Sequence, residues 1–240
     1  MSVVAFRYAV PNLLTGASFV LGLVSIINAE LGRLEQAAWL IVWCVLLDVA
    51  DGISARLLKA TSEFGAEFDS FADLVAFGLA PAALVLHFVW QTYPGVIPRW
   101  IAAASAIYAL FAAMRLARFN TFAPVEAGWF RGVPTTACGA LLATGVILLV
   151  RYEDTLGGLQ WPAYLAVLMA LLGVAMISNL RFPKLALADN FWLNVPHVAN
   201  ILALYIFGSL RIFPEYQFGC AMLVVVVGLT LGVVRRPVPA

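Results

Sequence analysis

The chain has 240 residues, of which 63% are hydrophobic and only 11% are charged, and its mean hydropathy is +0.96. Soluble domains are about half apolar and a quarter charged, so this composition excludes an ordinary soluble protein and indicates an integral membrane protein. The formal net charge of +1 excludes the strongly basic surface that nucleic acids require, and we expect no nucleic-acid partner.

Apolar segments long enough to cross a bilayer follow one another along the chain. A helix needs about 20 apolar residues to cross the hydrocarbon layer, and by this measure the sequence predicts eight spans. They cover residues 10–29, 36–57, 69–90, 100–119, 133–150, 161–179, 195–211 and 216–234. We therefore expect a single domain over residues 1–240, folded as an all-α polytopic membrane helix bundle of about eight transmembrane helices.

The Lys and Arg residues are distributed unevenly between the two sides of the predicted bundle. Ten of the 14 fall on the side that also holds both chain termini. Basic residues accumulate in short cytoplasmic loops, so we predict a multi-pass protein of the cytoplasmic (inner) membrane with both termini in the cytoplasm. The ten are Arg7, Arg56, Lys59, Arg115, Arg118, Arg131, Arg181, Lys184, Arg235 and Arg236.

One charged stretch, DVADGISARLLKATSEFGAEFDSFAD at residues 48–73, connects the second and third predicted spans. Asp48 and Asp51 are three residues apart, and Asp69 and Asp73 are four apart, so each pair shares one face of its helix. A short connection makes the two helices antiparallel neighbours, which lets the four carboxylates converge. Converging carboxylates at a membrane edge need protons or cations. Hard divalent cations prefer oxygen ligands, so the pattern predicts a site for Mg²⁺, Mn²⁺ or Ca²⁺, where two ions could clamp a diphosphate.

Two other interpretations of the four carboxylates remain open at this point. They could be solvated helix ends, or they could form the ion site of a cation transporter. Gly52, Ala55 and Gly65 leave the backbone open to close approach by a ligand, although small residues also serve ordinary packing between membrane helices.

The charged stretch also resembles the signature of a known enzyme family. Its spacing is D-x2-D-G-x2-A-R-x8-G-x3-D-x3-D, which is similar to that of the CDP-alcohol phosphotransferases. Members of this family move a substituted phosphate from a CDP-linked lipid or alcohol to an acceptor hydroxyl and release CMP. The resemblance implies a divalent cation, Mg²⁺ or Mn²⁺, with two ions per site.

The resemblance also implies roles for individual residues. Asp48, Asp51 and Asp69 would be metal ligands, and Asp73 would be both a metal-site residue and the general base. PNLLT at 11–15 resembles the first-helix element of the family. The residues that would bind the CDP moiety are Asn12, Thr15, Gly52, Ala55, Arg56, Ser62 and Gly65.

Further segments are similar to the bacterial phosphatidylserine synthase branch of the family. They are SEFGAEFDSFADLVAFGLAPA from Ser62, RLARFN at 115–120, WFRGVPTT at 129–136 and SNLRFPKL at 178–185. Relatives that accept glycerophosphate usually have Pro and Lys where this chain has Ser70 and Leu74. The resemblance makes residues 10–185 the catalytic core, while residues 195–234 match only in number of spans and hydropathy. It implies CDP-diacylglycerol and L-serine as substrates, contact with membrane lipids and a possible homodimer.

Two arginines near the end of the fourth span favour an anionic acceptor. Arg115 and Arg118 are three residues apart, with Asn120 just beyond, and we expect these three to bind serine. Guanidinium groups are suited to bidentate binding of a carboxylate, which serine carries and which choline and ethanolamine lack. Inositol phosphate and glycerol phosphate are also anionic, so the arginines alone do not exclude them. Arginines at this position could also serve only as cytoplasmic anchors.

Overall fold

The computed structural model describes residues 3–92, 99–121, 128–156, 161–183 and 191–234, and these residues are almost entirely helical. Lys184, Arg235 and Arg236 of the predicted cytoplasmic set lie outside the described residues. The helices are α1 (Val3–Glu30), α2 (Leu34–Leu57), α3 (Glu63–Asp73), α4 (Ala80–Thr92), α5 (Arg99–Thr121), α6 (Thr135–Arg151), α7 (Glu153–Leu156), α8 (Trp161–Ile177), α9 (Phe191–Leu210) and α10 (Pro214–Val234).

Apolar helices occupy all eight of the segments that the sequence predicts as spans. Within the described residues, five stretches are long and apolar enough to cross a membrane, and three apolar helices are shorter. The prediction of an all-α polytopic membrane bundle is confirmed. The five are Arg7–Glu30, Leu34–Leu57, Glu63–Thr92, Arg99–Thr121 and Pro214–Val234, and the shorter three are Thr135–Arg151, Tyr164–Ile177 and Asn194–Leu210.

The third helical stretch begins six residues earlier than the predicted span at 69–90. The hydroxyl of Ser62 accepts a hydrogen bond from the Gly65 N–H at 3.0 Å and so caps the N-terminus of α3. Glu63 lies in the first turn, where a negative charge interacts favourably with the helix dipole. Asp69 and Asp73 therefore lie inside a helix instead of at its start, and a polar first turn extends the helix beyond its apolar run.

A π-helical segment, Leu74–Leu79, joins α3 to α4 directly after Asp73. Pro81 has no N–H to donate to the carbonyl of Phe77, and its ring crowds that carbonyl, which favours the wider turn. The buried hydroxyl of Tyr108 on α5 donates to the Phe77 carbonyl at 2.9 Å instead. The widened turn, which begins directly after Asp73, is thus held by a neighbouring helix.

A short antiparallel ribbon, which the sequence did not predict, connects the loops before α6 and after α8. Strand β1 (Trp129–Arg131) pairs with β2 (Arg181–Pro183), and Phe130 faces Phe182. Gly132 follows β1 with φ +69°, and a Cβ there would overlap the carbonyl oxygen of Met176. The ribbon therefore depends on glycine at this position and fixes where α6 begins.

Small residues bring the helices of the core close together. A Cβ on Gly22 of α1 would lie 3.0 Å from the Cα of Ala76, and one on Gly78 would lie 3.1 Å from the Cβ of Ala112 on α5. Such close approach is typical of membrane helices, where packing replaces the hydrophobic driving force. The end of α2 and the starts of α3 and α6 meet at one end of this bundle, together with the end of α5.

Candidate active site

Three carboxylates converge at this end of the bundle. Asp48 and Asp51 of α2 and Asp69 of α3 each offer an oxygen, and among the described residues these oxygens all lie within 4.8 Å of one another. Asp51 is 7% exposed, and the other two are half-buried. Three carboxylate oxygens so close together form a donor set suited to a hard divalent cation, so the residues fit the expected Mg²⁺ or Mn²⁺.

Asp73 lies close to this group but is not part of it. Its side chain is half-buried and interacts electrostatically with Asp48 and Asp69, which repel it, and with Arg115, which attracts it. Asp73 thus has both repelling carboxylates and one attracting guanidinium in its surroundings. A carboxylate in this position can exchange a proton without being one of the three clustered ligands.

A threonine from α1 supports the carboxylate cluster. The hydroxyl of Thr15 donates to Oδ2 of Asp51 at 2.9 Å, and Thr15 itself is buried. This bond fixes the orientation of the Asp51 carboxylate. The sequence prediction placed Thr15 at the nucleotide, and the structure places it beside a predicted metal ligand.

The other predicted CDP-binding residues surround the corner formed by α1, α2 and the start of α3. A Cβ on Gly65 would lie 3.1 Å from Oγ of Ser62 and 3.4 Å from Oδ1 of Asn12, so the absence of a side chain there opens the corner. Gly52 and Ala55 lie in the last turns of α2 with Arg56, whose side chain is exposed.

An apolar groove of about 540 Å³ runs from this corner along α1 and α3. Asn12 lies at its polar end, and the remaining wall is aliphatic and aromatic. A groove of this kind can receive an apolar chain while a polar group stays at the carboxylates. It is lined by Asn12, Leu13, Gly16, Ala17, Val20, Leu21 and Phe68.

The three residues predicted to bind serine have different surroundings. Arg115 is 7% exposed and interacts electrostatically with the carboxylates of Asp73 and Asp48. Its Nη1 donates to the hydroxyl of Thr135 at 3.2 Å. Arg118 instead donates to the main-chain carbonyls at the end of α8, including that of Ile177 at 2.6 Å. Asn120 donates to Ser70 at 3.0 Å and to Glu67 at 3.2 Å, both on α3. Of the three, Arg115 alone is brought to the carboxylates.

Arg118 leaves the site because the end of α8 exposes main-chain carbonyls that have no partners within the helix. Positions three apart on a helix are rotated by about 60°, so the two arginines can reach different neighbours. The spacing predicted a guanidinium pair, but the two arginines have different surroundings. Arg115 lies near the carboxylates, and Arg118 joins α5 to α8.

Residues 8–178 match the family model described as CDP-alcohol phosphatidyltransferase. The chain belongs to this family. The matched segment runs from α1 to the end of α8 and includes all four aspartates. The resemblance that the charged stretch indicated is therefore confirmed.

Several similar proteins are named CDP-diacylglycerol–serine O-phosphatidyltransferase. One from Helicobacter pylori is 39% identical over 178 residues, which cover 74% of this chain and 73% of that protein. One from Bacillus subtilis is 33% identical over 176 residues and covers 72% of this chain and 89% of its own length. One from Methanocaldococcus jannaschii is 32% identical over 179 residues, which cover 74% of this chain and 78% of that protein.

Two contacts near the carboxylate cluster were not assigned from the sequence. The hydroxyl of Thr136 donates to Oδ2 of Asp48 at 3.3 Å. Tyr205 of α9, outside the segment that matches the family, donates to the Leu46 carbonyl on α2 at 2.5 Å. The WFRGVPTT motif drew attention to Thr136 without giving it a role. No local sequence signal distinguishes Tyr205 from other tyrosines at membrane edges.

Proposed function

We propose that this member of the family transfers the phosphatidyl group of CDP-diacylglycerol to the hydroxyl of L-serine and releases CMP. The observation that carries the proposal is the buried guanidinium of Arg115, which interacts electrostatically with Asp73 and with Asp48 of the carboxylate cluster. It offers a binding position for the carboxylate of serine next to the group that can accept the hydroxyl proton. The names of the similar proteins support the same substrates.

The aspartates have different roles in this reaction. Asp73 takes the proton of the serine hydroxyl, and the serine oxygen forms a bond to the phosphorus that carries the diacylglycerol. The bond from that phosphorus to the bridging oxygen breaks, and CMP leaves with the electron pair. Asp48, Asp51 and Asp69, with Asp73 beside them, would hold two divalent cations, which when bound would stabilise the charge on the diphosphate oxygens.

The two substrates reach this centre from different sides. Asn12, Thr15, Gly52, Ala55, Arg56, Ser62 and Gly65 make up the proposed CDP site. The apolar groove beside Asn12 would take part of the lipid, whereas serine arrives from water. Arg118 and Asn120 support the serine site by fixing α5 against α8 and α3.

The decisive experiment supplies purified protein with labelled CDP-diacylglycerol, Mn²⁺ or Mg²⁺, and one acceptor at a time. We expect phosphatidylserine with serine and no product with glycerol 3-phosphate, inositol phosphate or an amino alcohol. A lipid product from one of these other acceptors in place of serine would reassign the substrate. Ion flux across vesicles without nucleotide turnover would instead favour the cation transporter.

A second experiment tests the proposed base. Asp73→Asn should abolish transfer while leaving binding of CDP-diacylglycerol largely intact, because the substituted side chain keeps its size but cannot accept the proton. Turnover that persists in this variant would remove Asp73 from the role of base.

We also propose that the active site and both termini face the cytoplasm and that the protein forms a homodimer. The uneven distribution of basic residues supports the orientation. Reporter fusions at each terminus test it, and crosslinking in native membranes tests the dimer. Cys44 and Cys138 are buried, whereas Cys220 is half-buried and is replaced before cysteine labelling at an introduced site.

A further inference from the structure

We infer that Thr135 and Thr136, the first two residues of α6, are positioning residues that act on two different groups of the active site. Thr136 orients Asp48 for the cation, and Thr135 orients Arg115 for the acceptor. The inference rests on the proposed function for the roles of Asp48 and Arg115. It assigns two separable tasks to neighbouring hydroxyls.

The contact of Thr136 is with a member of the carboxylate cluster. Its hydroxyl donates to Oδ2 of Asp48 at 3.3 Å across 88 positions of sequence. A carboxylate that is held through one oxygen presents the other in a fixed direction. Residues that hold metal ligands in this way commonly change the affinity for the metal by about 10–100-fold when they are removed.

The contact of Thr135 is with the buried cation. Thr135 is 0% exposed, and its hydroxyl accepts a hydrogen bond from Nη1 of Arg115 at 3.2 Å. The guanidinium also lies 5.6 Å from the ring of Phe119. Among the described residues, Nε of Arg115 is buried without a hydrogen-bond partner. A buried N–H without a partner is costly, and an anionic acceptor would satisfy it.

The start of α6 is held rigidly enough to fix both hydroxyls. The N–H of Gly132 donates to the Leu180 carbonyl at 2.9 Å, and that of Val133 donates to the Ala175 carbonyl at 3.1 Å. Arg118 binds carbonyls in the same segment at the end of α8. The loop before the two threonines is therefore attached to a second helix and cannot easily move to compensate for a lost contact.

Another threonine of the same helix provides a contrast. The hydroxyl of Thr144, also buried, donates to the carbonyl of Ala140 at 2.7 Å, four residues earlier in its own helix. This is the usual local bond of a threonine within a helix. Thr144→Val is therefore a matched control that removes a buried hydroxyl from α6 without touching the site.

The test compares Thr135→Val, Thr136→Val and Thr144→Val in purified full-length protein. Mn²⁺ binding is measured without substrate from the paramagnetic resonance signal of free Mn²⁺, and the KM for serine is measured separately. Thr136→Val should weaken Mn²⁺ binding about 10-fold and leave the KM for serine unchanged at saturating metal. Thr135→Val should raise the KM for serine about 10-fold and leave Mn²⁺ binding unchanged.

Serine substitutions separate the hydroxyls from the packing of the methyl groups. Thr135→Ser and Thr136→Ser keep the hydroxyl and should restore the wild-type values. If a valine variant does not fold, the corresponding alanine variant takes its place. Equal changes of both parameters in both variants, or no change in either, would overturn the inference. If wild-type protein fails to use serine, the proposed function fails, whereas the Mn²⁺ measurement still decides the role of Thr136.

Discussion

The hydrogen bond from Tyr108 to the π-helical segment should contribute measurably to stability. Tyr108→Phe removes one hydroxyl that is 0% exposed and 2.9 Å from the carbonyl of Phe77. Hydrogen bonds between membrane helices contribute about 0.6 kcal/mol on average and about 1.7 kcal/mol at most. A buried acceptor left without any partner costs about 1–3 kcal/mol. The residue four positions after Phe77 is Pro81, which cannot donate, so we expect a loss near the upper membrane value, about 1.5 kcal/mol.

Reversible unfolding in mixed micelles of increasing denaturing detergent, followed by circular dichroism, measures this loss. Tyr152→Phe is the control, because its hydroxyl also donates, to Glu215 at 2.6 Å, but is exposed. Water replaces that bond, so its loss should cost less than about 0.5 kcal/mol. Because the π turn begins directly after Asp73, Tyr108→Phe should also lower kcat more than it changes either KM. Equal unfolding free energies for the two variants would refute this account of the π turn.

The remaining predictions concern the carboxylate cluster, the ribbon and the hydrogen bond between α9 and α2. Asp69→Asn should weaken Mn²⁺ binding by at least about 100-fold, because it removes a proposed ligand. Glu63→Gln, in the first turn of the same helix, should leave Mn²⁺ binding unchanged. Similar Mn²⁺ affinities for the two variants would contradict the assignment of Asp69 as a ligand. Gly128→Ala, at a positive φ in open space, should lower the free energy of unfolding by about 1–2 kcal/mol. Gly132→Ala should lower it more, because its Cβ would also overlap a carbonyl oxygen. Thermal unfolding of the two variants measures the difference. Tyr205→Phe should lower the unfolding free energy by about 0.6 kcal/mol and keep kcat within about two-fold; a complete loss of activity would mean that the hydroxyl touches substrate.

The sequence by itself determined the helical membrane architecture and the family. Runs of about 20 apolar residues can satisfy their main-chain groups in a bilayer only as helices, so composition and length suffice for the fold class. The aspartate spacing predicted that four carboxylates converge, because three- and four-residue intervals place side chains on one helix face. The structure groups Asp48, Asp51 and Asp69, with Asp73 close to them. Both properties depend on residues close together in the chain.

Long-range packing decided the direction of the side chains that surround the carboxylates. Arg115 and Arg118 share one local pattern, but the first is buried and interacts electrostatically with Asp73 and Asp48, whereas the second caps the end of α8. Thr136 meets Asp48 only because the ribbon and the end of α8 fix the start of α6. Periodicity specifies a face of a helix, whereas the neighbour that covers this face depends on the packing of the whole bundle. For this reason the sequence indicated which aspartates come together, and only the tertiary structure decided that Asp73 lies outside the cluster of three and what holds the others in place.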